Sequence, residues 1–361
     1  MPDKATWKLR GVVPTDLGRC DMAHSFLQSG FWGSFKARFG WNARSFLVDW
    51  GESGRLPLMV IRRRLAPGVS FAYVPLGPEL PFEFPDSFEL RNQALIDLAR
   101  ALVFELPHDT AFIRFDPPWY TIGEGISGPE LPAPFIRAGA DVQPPDTVIV
   151  DVSQDEDAIL SAMKQKWRYN IRLAEKKGVT VKRMDEAGLD IFYSLYKTTA
   201  KRDRIAIHGI EYYRFLFQHS KEYRDGNQDL RLYIAEHDGE ALAAIIVLFR
   251  GEEATYLYGA SSDSKRNFMA PYALQWRAIR DAHEKGCLRY DLYGIPPKEN
   301  PLHPMAGLYR FKIGFGGQII HRPGSWDYAY KPVVTYLFRL AESSRKTVRS
   351  AKKALRSLGR E

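Results

Sequence analysis

Leu288-Arg-Tyr-Asp-Leu-Tyr-Gly-Ile-Pro-Pro297 reads as a short apolar strand that ends in a carboxylate, Asp291, ahead of a Gly/Pro loop. An earlier stretch, Thr110-Ala-Phe-Ile-Arg-Phe-Asp-Pro-Pro118, has the same form and ends at Asp116. Each is preceded by a helical pattern. One runs from Ser87 to Phe104 with Leu90, Ala94, Leu95, Leu98 and Leu102 at helical spacing, the other from Pro271 to Lys285. Before each helix come three strand-like runs separated by turns. They are Arg44–Trp50, Leu56–Arg62 and Ser70–Val74 in the first half, and Leu232–Glu236, Ala241–Phe249 and Ala254–Tyr258 in the second. The chain therefore uses one unit twice, and internal repetition outranks any local assignment.

Antiparallel strands that feed a strand–helix–strand crossover follow the plan of an acyl-CoA N-acyltransferase (GNAT)-like domain. The expected fold is thus α/β (α+β), with two tandem GNAT-like domains at 1–148 and 149–331 and a joint near Pro144-Pro145. Residues 332–361 are expected to form a basic amphipathic helix. Ser25–Lys36 reads as a short aromatic-rich helix. Ser153 with Glu156 forms a capping box. The helix it opens carries Leu160, Met163, Trp167, Ile171 and Ala174 and stops at Gly178. Strand Val179–Met184, helix Leu189–Lys201 and a helix from Ile210 follow.

The totals bound the class. With 361 residues, 45% hydrophobic and 26% charged, the chain is globular and long enough for two domains. Its two cysteines, Cys20 and Cys287, fit neither a disulfide framework nor a zinc site. The first residues lack the apolar core of a signal peptide, and no stretch approaches the ~20 apolar residues of a membrane span. A cytoplasmic protein is expected. The net charge of +8 is uneven: 332–361 holds eight Lys/Arg against Glu342 and Glu361.

Several stretches bear on chemistry. The strand-to-helix loops Pro75–Glu79 and Ser261–Ala270 lack the paired glycines that cradle a CoA pyrophosphate, which points to another acyl donor. The histidines are scattered on unlike elements, and no Ser-His-Asp, Cys-His or metal-ligand set is evident. Gly307-Leu-Tyr-Arg-Phe-Lys-Ile-Gly-Phe-Gly-Gly317 sets Lys312 between aromatic and apolar residues, beside three glycines. Such a lysine could stabilise an oxyanion. The plainer reading is a strand ending in a glycine turn, with Lys312 snorkelling to water. The glycines are read as clearance for a substrate's backbone. Lys164, Lys166, Arg168 and Arg172 form a basic face suited to RNA phosphates or merely to solvent. In the tail, apolar residues alternate with cations, as expected on an anionic membrane, on nucleic acid or in water.

The chain resembles the Fem family (FemA, FemB, FemX) of non-ribosomal peptidyl transferases. The resemblance rests on an ordered set of segments. These are Gln28–Lys36 with Gly40-Trp41, Tyr73–Pro78, Phe115–Pro117, Met163–Arg172 with Lys177-Gly-Val179, Tyr258–Ser261, Ala270–Trp276, Tyr290–Ile295 and Gly307–Gly317. No long heptad pattern interrupts 179–231, so the resemblance is to the compact form without a coiled-coil arm.

The resemblance implies an aminoacyltransferase that moves an amino acid from aminoacyl-tRNA to a stem-peptide amine of a peptidoglycan precursor. That precursor is lipid II or UDP-MurNAc-pentapeptide, and the product is the interpeptide bridge. Aminoacyl-tRNA is then a co-substrate, with no cofactor and no metal. The first domain binds precursor; the second carries out acyl transfer and faces tRNA. Lipid-linked precursor also implies peripheral contact with the inner face of the membrane through the C-terminal helix.

Residue by residue, Lys36 matches the cation on the precursor diphosphate, and Lys312 the lysine that stabilises the reacting carbonyl, with Phe311 walling it. Asp116 matches the group that orients, or takes a proton from, the attacking amine; its plainer role is a cap before Pro117. Where the family has a phosphate-binding arginine four residues before a tyrosine, this chain has His208 before Tyr212, and Arg202 or Arg204 could substitute. Trp32, Tyr73, Tyr258 and Tyr293 lie in or beside the matched segments and are assigned to substrate. The alternatives are a CoA-dependent N-acyltransferase on a small amine, or a non-catalytic RNA- or membrane-binding protein.

Overall fold

Alternation of side chains along strands sets the first sheet. The computed structural model describes residues 8–223, 227–301 and 305–344. After β1 (Gly11–Thr15) and the short helix α1 (Gly30–Ala37) come β2 (Asn42–Asp49), β3 (Arg55–Ala66) and β4 (Val69–Val74). Phe46 and Val48, Leu58 and Val60, and Ala72 and Val74 are spaced two apart, so each pair shares a face, and all six are buried. They pack with Ala94, Leu95, Leu98 and Leu102 of α2 (Phe88–Glu105), whose N-terminus is capped by Ser87. β5 (Thr110–Phe115) then returns parallel to β4, with Phe115 opposite Val74. Two short strands follow, β6 (Thr121–Ile122) and β7 (Ile136–Arg137).

The second sheet repeats the plan. β8 (Asp146–Asp151), α3 (Glu156–Ala162), α4 (Gln165–Lys176) and β9 (Thr180–Met184) lead to α5 (Leu189–Asp203) and α6 (Ile210–Glu222). The long strands β10 (Gln228–His237), β11 (Glu240–Arg250) and β12 (Glu253–Ser261) are antiparallel. Helix α7 (Ala270–Glu284) carries the chain to β13 (Arg289–Asp291), which pairs parallel with β12. Helix α8 (Ala306–Ile313) and β14 (Gln318–His321) complete the unit. Finally β15 (Trp326–Ala329) joins the first sheet, and a helix spans 332–344.

The strand orders are β1-β2-β3-β4-β5-β15-β7 and β6-β14-β8-β13-β12-β11-β10-β9. In both, a parallel pair bridged by a helix is followed by an antiparallel strand, β15 in one sheet and β8 in the other. This is a mixed α/β fold with the N-acyltransferase-like plan used twice. The first unit takes the chain to Thr121, Ser127–Pro145 and the chain from Arg322; the second takes Ile122–Ile126 and Asp146–His321. A cut at 331 thus differs from the observed division, because the ladder of β15 with β5 draws 326–329 into the first unit. Among the described residues no helix is long and apolar enough to cross a membrane.

Three local expectations change. The helix read from Ser153 to Gly178 is two helices. The chain is extended at Met163 and Lys164, and the Lys164 N–H bonds Gly314 O at 2.9 Å. The capping box does not form, because Ser153 turns to Asp151 while Asp155 caps the Ala158 N–H. Ser25–Lys36 is a 3-10 turn followed by α1, which Ser29 caps at the Trp32 N–H. Of the eight tail cations only Arg339 falls within the described residues.

Candidate functional site

In the first unit the parallel pair β4/β5 places Tyr73 and Asp116 side by side. Asp116 follows the last residue of β5 and is buried. The Tyr73 hydroxyl donates to Asp116 Oδ2, and the Ser325 hydroxyl donates to Oδ1 at 2.5 Å. Ser325 in turn accepts from the Val142 N–H at 3.0 Å, and its own N–H bonds Asp141 at 2.8 Å. Burial lifts the Asp116 carboxyl from the usual range to about 6, with the nearby Asp141 charge adding to the rise; the hydrogen bonds from Ser325 and Tyr73 oppose it. A buried carboxyl in that range can exchange a proton near neutrality.

An aromatic path runs from this carboxyl to Lys36. The Trp41 and Tyr73 rings lie 6.2 Å apart, and Lys36 Nζ sits 6.0 Å from the Trp41 ring and 5.6 Å from that of Trp32. The Arg63 guanidinium stands 5.4 Å from the same Trp41 ring. Burial, and next the charge of Arg63, lower the Lys36 ammonium to about 8. Two cations set against one indole raise the positive potential there, which favours an anion nearby. Sequence reasoning missed Arg63, although it lies in the basic run Arg62-Arg63-Arg64. It also missed Ser325, which is 209 residues from its partner. Gln28 braces the Pro75 turn, donating to Pro75 O at 2.7 Å and accepting from the Met59 N–H at 2.9 Å. The structure thus brings Trp32, Lys36, Tyr73 and Asp116 together.

In the second unit Lys312 lies in the last turn of α8, not on a strand, and it does not snorkel: it is 4% exposed. Its ammonium donates to Gly294 O at 2.9 Å and Tyr293 O at 3.1 Å, and lies 5.3 Å from the Tyr256 ring. An ammonium has three donors, so two are held by these carbonyls. Burial lowers the group to about 7, and the Asp291 charge opposes that shift. Asp291 also shapes the cradle. Its carboxylate accepts from the Thr147 hydroxyl and from the Tyr293 N–H at 2.7 Å, holding Tyr293 at a left-handed φ of 60°. Neither Thr147 nor Asp291 was expected as part of the site, though Asp291 stood out as the counterpart of Asp116.

The glycines of this stretch serve the protein, not a substrate. A Cβ on Gly314 would lie 2.1 Å from the Trp167 ring, one on Gly316 2.4 Å from Ala162 O, and one on Gly317 2.6 Å from Ile149 O. Trp167 also donates its Nε1–H to Phe311 O at 2.8 Å. Phe311 packs edge-on against Tyr272 and Phe315, each at 5.2 Å.

Tyr258, Tyr212 and Tyr293 also gather. Tyr258 is hydrogen-bonded to the Tyr212 hydroxyl; burial first, then Tyr212 and more weakly Tyr293, hold the Tyr258 phenol far above its usual value. His208 stacks on Tyr212 at 3.9 Å. Arg202 is bound by Asp203, Asp263 and Ser261. Arg204 is exposed with φ 54° at the end of α5. Lys164, just before α4, and Lys166 and Arg172 on it are exposed, whereas Arg168 donates to Ser161 O and Met163 O and closes the end of α3.

The sequence matches the FemAB family over residues 127–238 and 220–343. The chain belongs to the FemAB family. It is 24% identical over 253 residues to a lipid II:glycine glycyltransferase of Staphylococcus epidermidis, covering 54% of this chain and 61% of the relative. It is 25% identical over 273 residues to the protein of the same name in Staphylococcus aureus, covering 58% and 64%. The chain thus spans less than two thirds of the length of these relatives. The crystal structure of FemX aligns with a TM-score of 0.73 over 91% of this chain and 99% of that one, at 21% identity, so the two share a fold.

Proposed function

We propose that the chain is an aminoacyltransferase that moves an amino acid from aminoacyl-tRNA to an amine on the stem peptide of a lipid II-type peptidoglycan precursor. The observation that carries this reading is Lys312, a buried ammonium held by two carbonyls. FemAB membership, and relatives named lipid II:glycine glycyltransferase, support that choice of substrate class.

The aminoacyl ester is already activated. The amine nitrogen bonds to the ester carbonyl carbon and the carbonyl oxygen takes up negative charge. The carbonyl then re-forms as the ribose oxygen leaves with the bonding pair and gains a proton as a hydroxyl, balancing the proton the amine gives up. In the second unit Lys312 offers charge to that oxygen, and its free donor is the one to do so. In the first unit Lys36 and Arg63 hold the precursor's diphosphate, and the Asp116 carboxyl is the group there that can exchange a proton near neutrality. Tyr212, Tyr258 and Tyr293 contact substrate, and Lys164, Lys166 and Arg172 meet tRNA phosphates. Arg168, already committed to the end of α3, is set aside. The site works in the cytoplasm, where charged tRNA is found.

The test is incubation with a pool of charged tRNAs and either lipid-linked precursor or UDP-MurNAc-pentapeptide, read by mass spectrometry. The expected result is a mass increase of one or more amino acid residues on the precursor. An unmodified precursor with every tRNA, or a product formed equally well from acetyl-CoA, would overturn the reading.

A further inference from the structure

The helix over 332–344 has one face committed to its own unit and one left bare. On the inner face Phe338 stacks with Phe112 at 5.2 Å and Phe71 at 6.2 Å. Thr335 bonds Ala111 O at 3.2 Å, and Glu342 pairs with Arg114 at 3.0 Å. The outer face carries Val333, Tyr336, Leu337 and Leu340, at 73%, 59%, 59% and 48% exposure. Their spacing is i, i+3, i+4, i+7, which is a continuous apolar stripe. Scattered exposed apolar residues need no explanation, but a stripe does.

We propose that this stripe docks on the surface of an anionic lipid bilayer. Charge selects that partner. The sequence continues beyond 344 with Val348, Ala351, Leu355 and Leu358 at the same three-to-four spacing, and residues 345–361 hold seven Lys/Arg against Glu361 alone. Large apolar side chains beside a dense run of cations match acyl chains beneath acidic headgroups. RNA would use the cations and leave the aliphatic stripe in water. A second copy of the chain would bring two such cationic runs together.

The test is co-sedimentation of the full chain with vesicles of phosphatidylglycerol and phosphatidylcholine, against phosphatidylcholine alone, with no precursor or tRNA present. Its failure is therefore separate from failure of the proposed reaction. Binding is expected to the anionic vesicles only and to weaken with salt. Leu337→Glu with Leu340→Glu lowers it about tenfold or more, with an unchanged melting temperature, since both side chains point outward. Lys352→Ala, Lys353→Ala and Arg356→Ala together do the same, at about fivefold per cation. No binding to anionic vesicles, or binding indifferent to the leucine pair, would overturn the proposal. So would a leucine variant that converts a dimer to a monomer, because the stripe would then be a self-interface.

Discussion

The indole of Trp167 occupies the space that a side chain on Gly314 would fill, 2.1 Å from where its Cβ would stand. The same ring donates its N–H to Phe311 O, one residue before Lys312. Helix α4 therefore fixes the end of α8, and so the height at which the Lys312 ammonium sits. Gly314→Ala should cost about 1–3 kcal/mol through overpacking. Thermal melting of the variant checks the cost. Activity should fall further than the lost folded fraction explains, because the lysine is displaced.

Lys312→Met should abolish transfer, by about 10²–10³-fold or more, while making the protein more stable. The sign follows from linkage. The folded lysine ionises at about 7 against an ordinary 10.5, so between those values the unfolded chain holds the extra proton. The penalty of burying the charge is fully present below pH 7 and disappears as pH rises toward 10.5. The gain in melting temperature should therefore be largest at or below pH 7. A destabilised Lys312→Met would instead make the lysine a structural anchor.

The pH profile of kcat/KM should be a narrow bell. If the proposed reaction needs Asp116 ionised and Lys312 charged, the first sets a rising limb near 6 and the second a falling limb near 7. Asp291→Asn keeps an oxygen for the Tyr293 N–H but removes the negative charge that sustains the ammonium. The falling limb should then move below 7 while the rising limb stays. An unmoved falling limb would show that Asp291 does not act on Lys312.

Arg63→Ala should raise the KM for precursor about tenfold and leave kcat nearly unchanged, as expected for a cation that grips a diphosphate away from the chemistry. Steady-state kinetics with UDP-MurNAc-pentapeptide checks this. The Lys36 pKa should rise in the same variant, since Arg63 is one of the two causes that lower it.

Much of the fold was legible because it repeats. Two strands ending in carboxylates, each behind a helix and three strands, mark the repeated centre of each sheet, but not β15, which pairs with β5 from far along the chain. Periodicity could not show that Ser325 closes on Asp116, since neither residue's neighbours mark the other. Aromatic spacing around Lys312 likewise suits strand or helix, and the break at Met163–Lys164 exists because Gly314 supplies a carbonyl from elsewhere in the chain. The glycines were legible as sites of close approach, but which group approaches is a tertiary fact. The Fem resemblance carried Lys36, Asp116 and Lys312 by their local motifs. It could not carry Arg63, Thr147 or Asp291, whose roles come from what packs on them.

Arg114→Met tests the first unit's buried charge. The guanidinium is 3% exposed and binds Asp327, fully buried on β15, at 2.7 Å, together with Glu342. Removing the cation strands Asp327 and should cost about 3–5 kcal/mol in denaturant unfolding. Replacing Arg114 and Asp327 together by apolar residues should recover most of that loss.

The return of β15 to the first sheet has a consequence for how the protein is made. Synthesis runs from the N-terminus, so a ribosome releases β5 long before Trp326–Ala329, the strand that β5 must pair with. The whole of Asp146–His321 emerges in between. The unit encoded later is thus finished earlier, while the one begun first waits with an open strand edge. A nascent chain stalled before Ser325 would present that edge, with the Asp116 carboxyl still lacking its serine, to any other unpaired strand nearby.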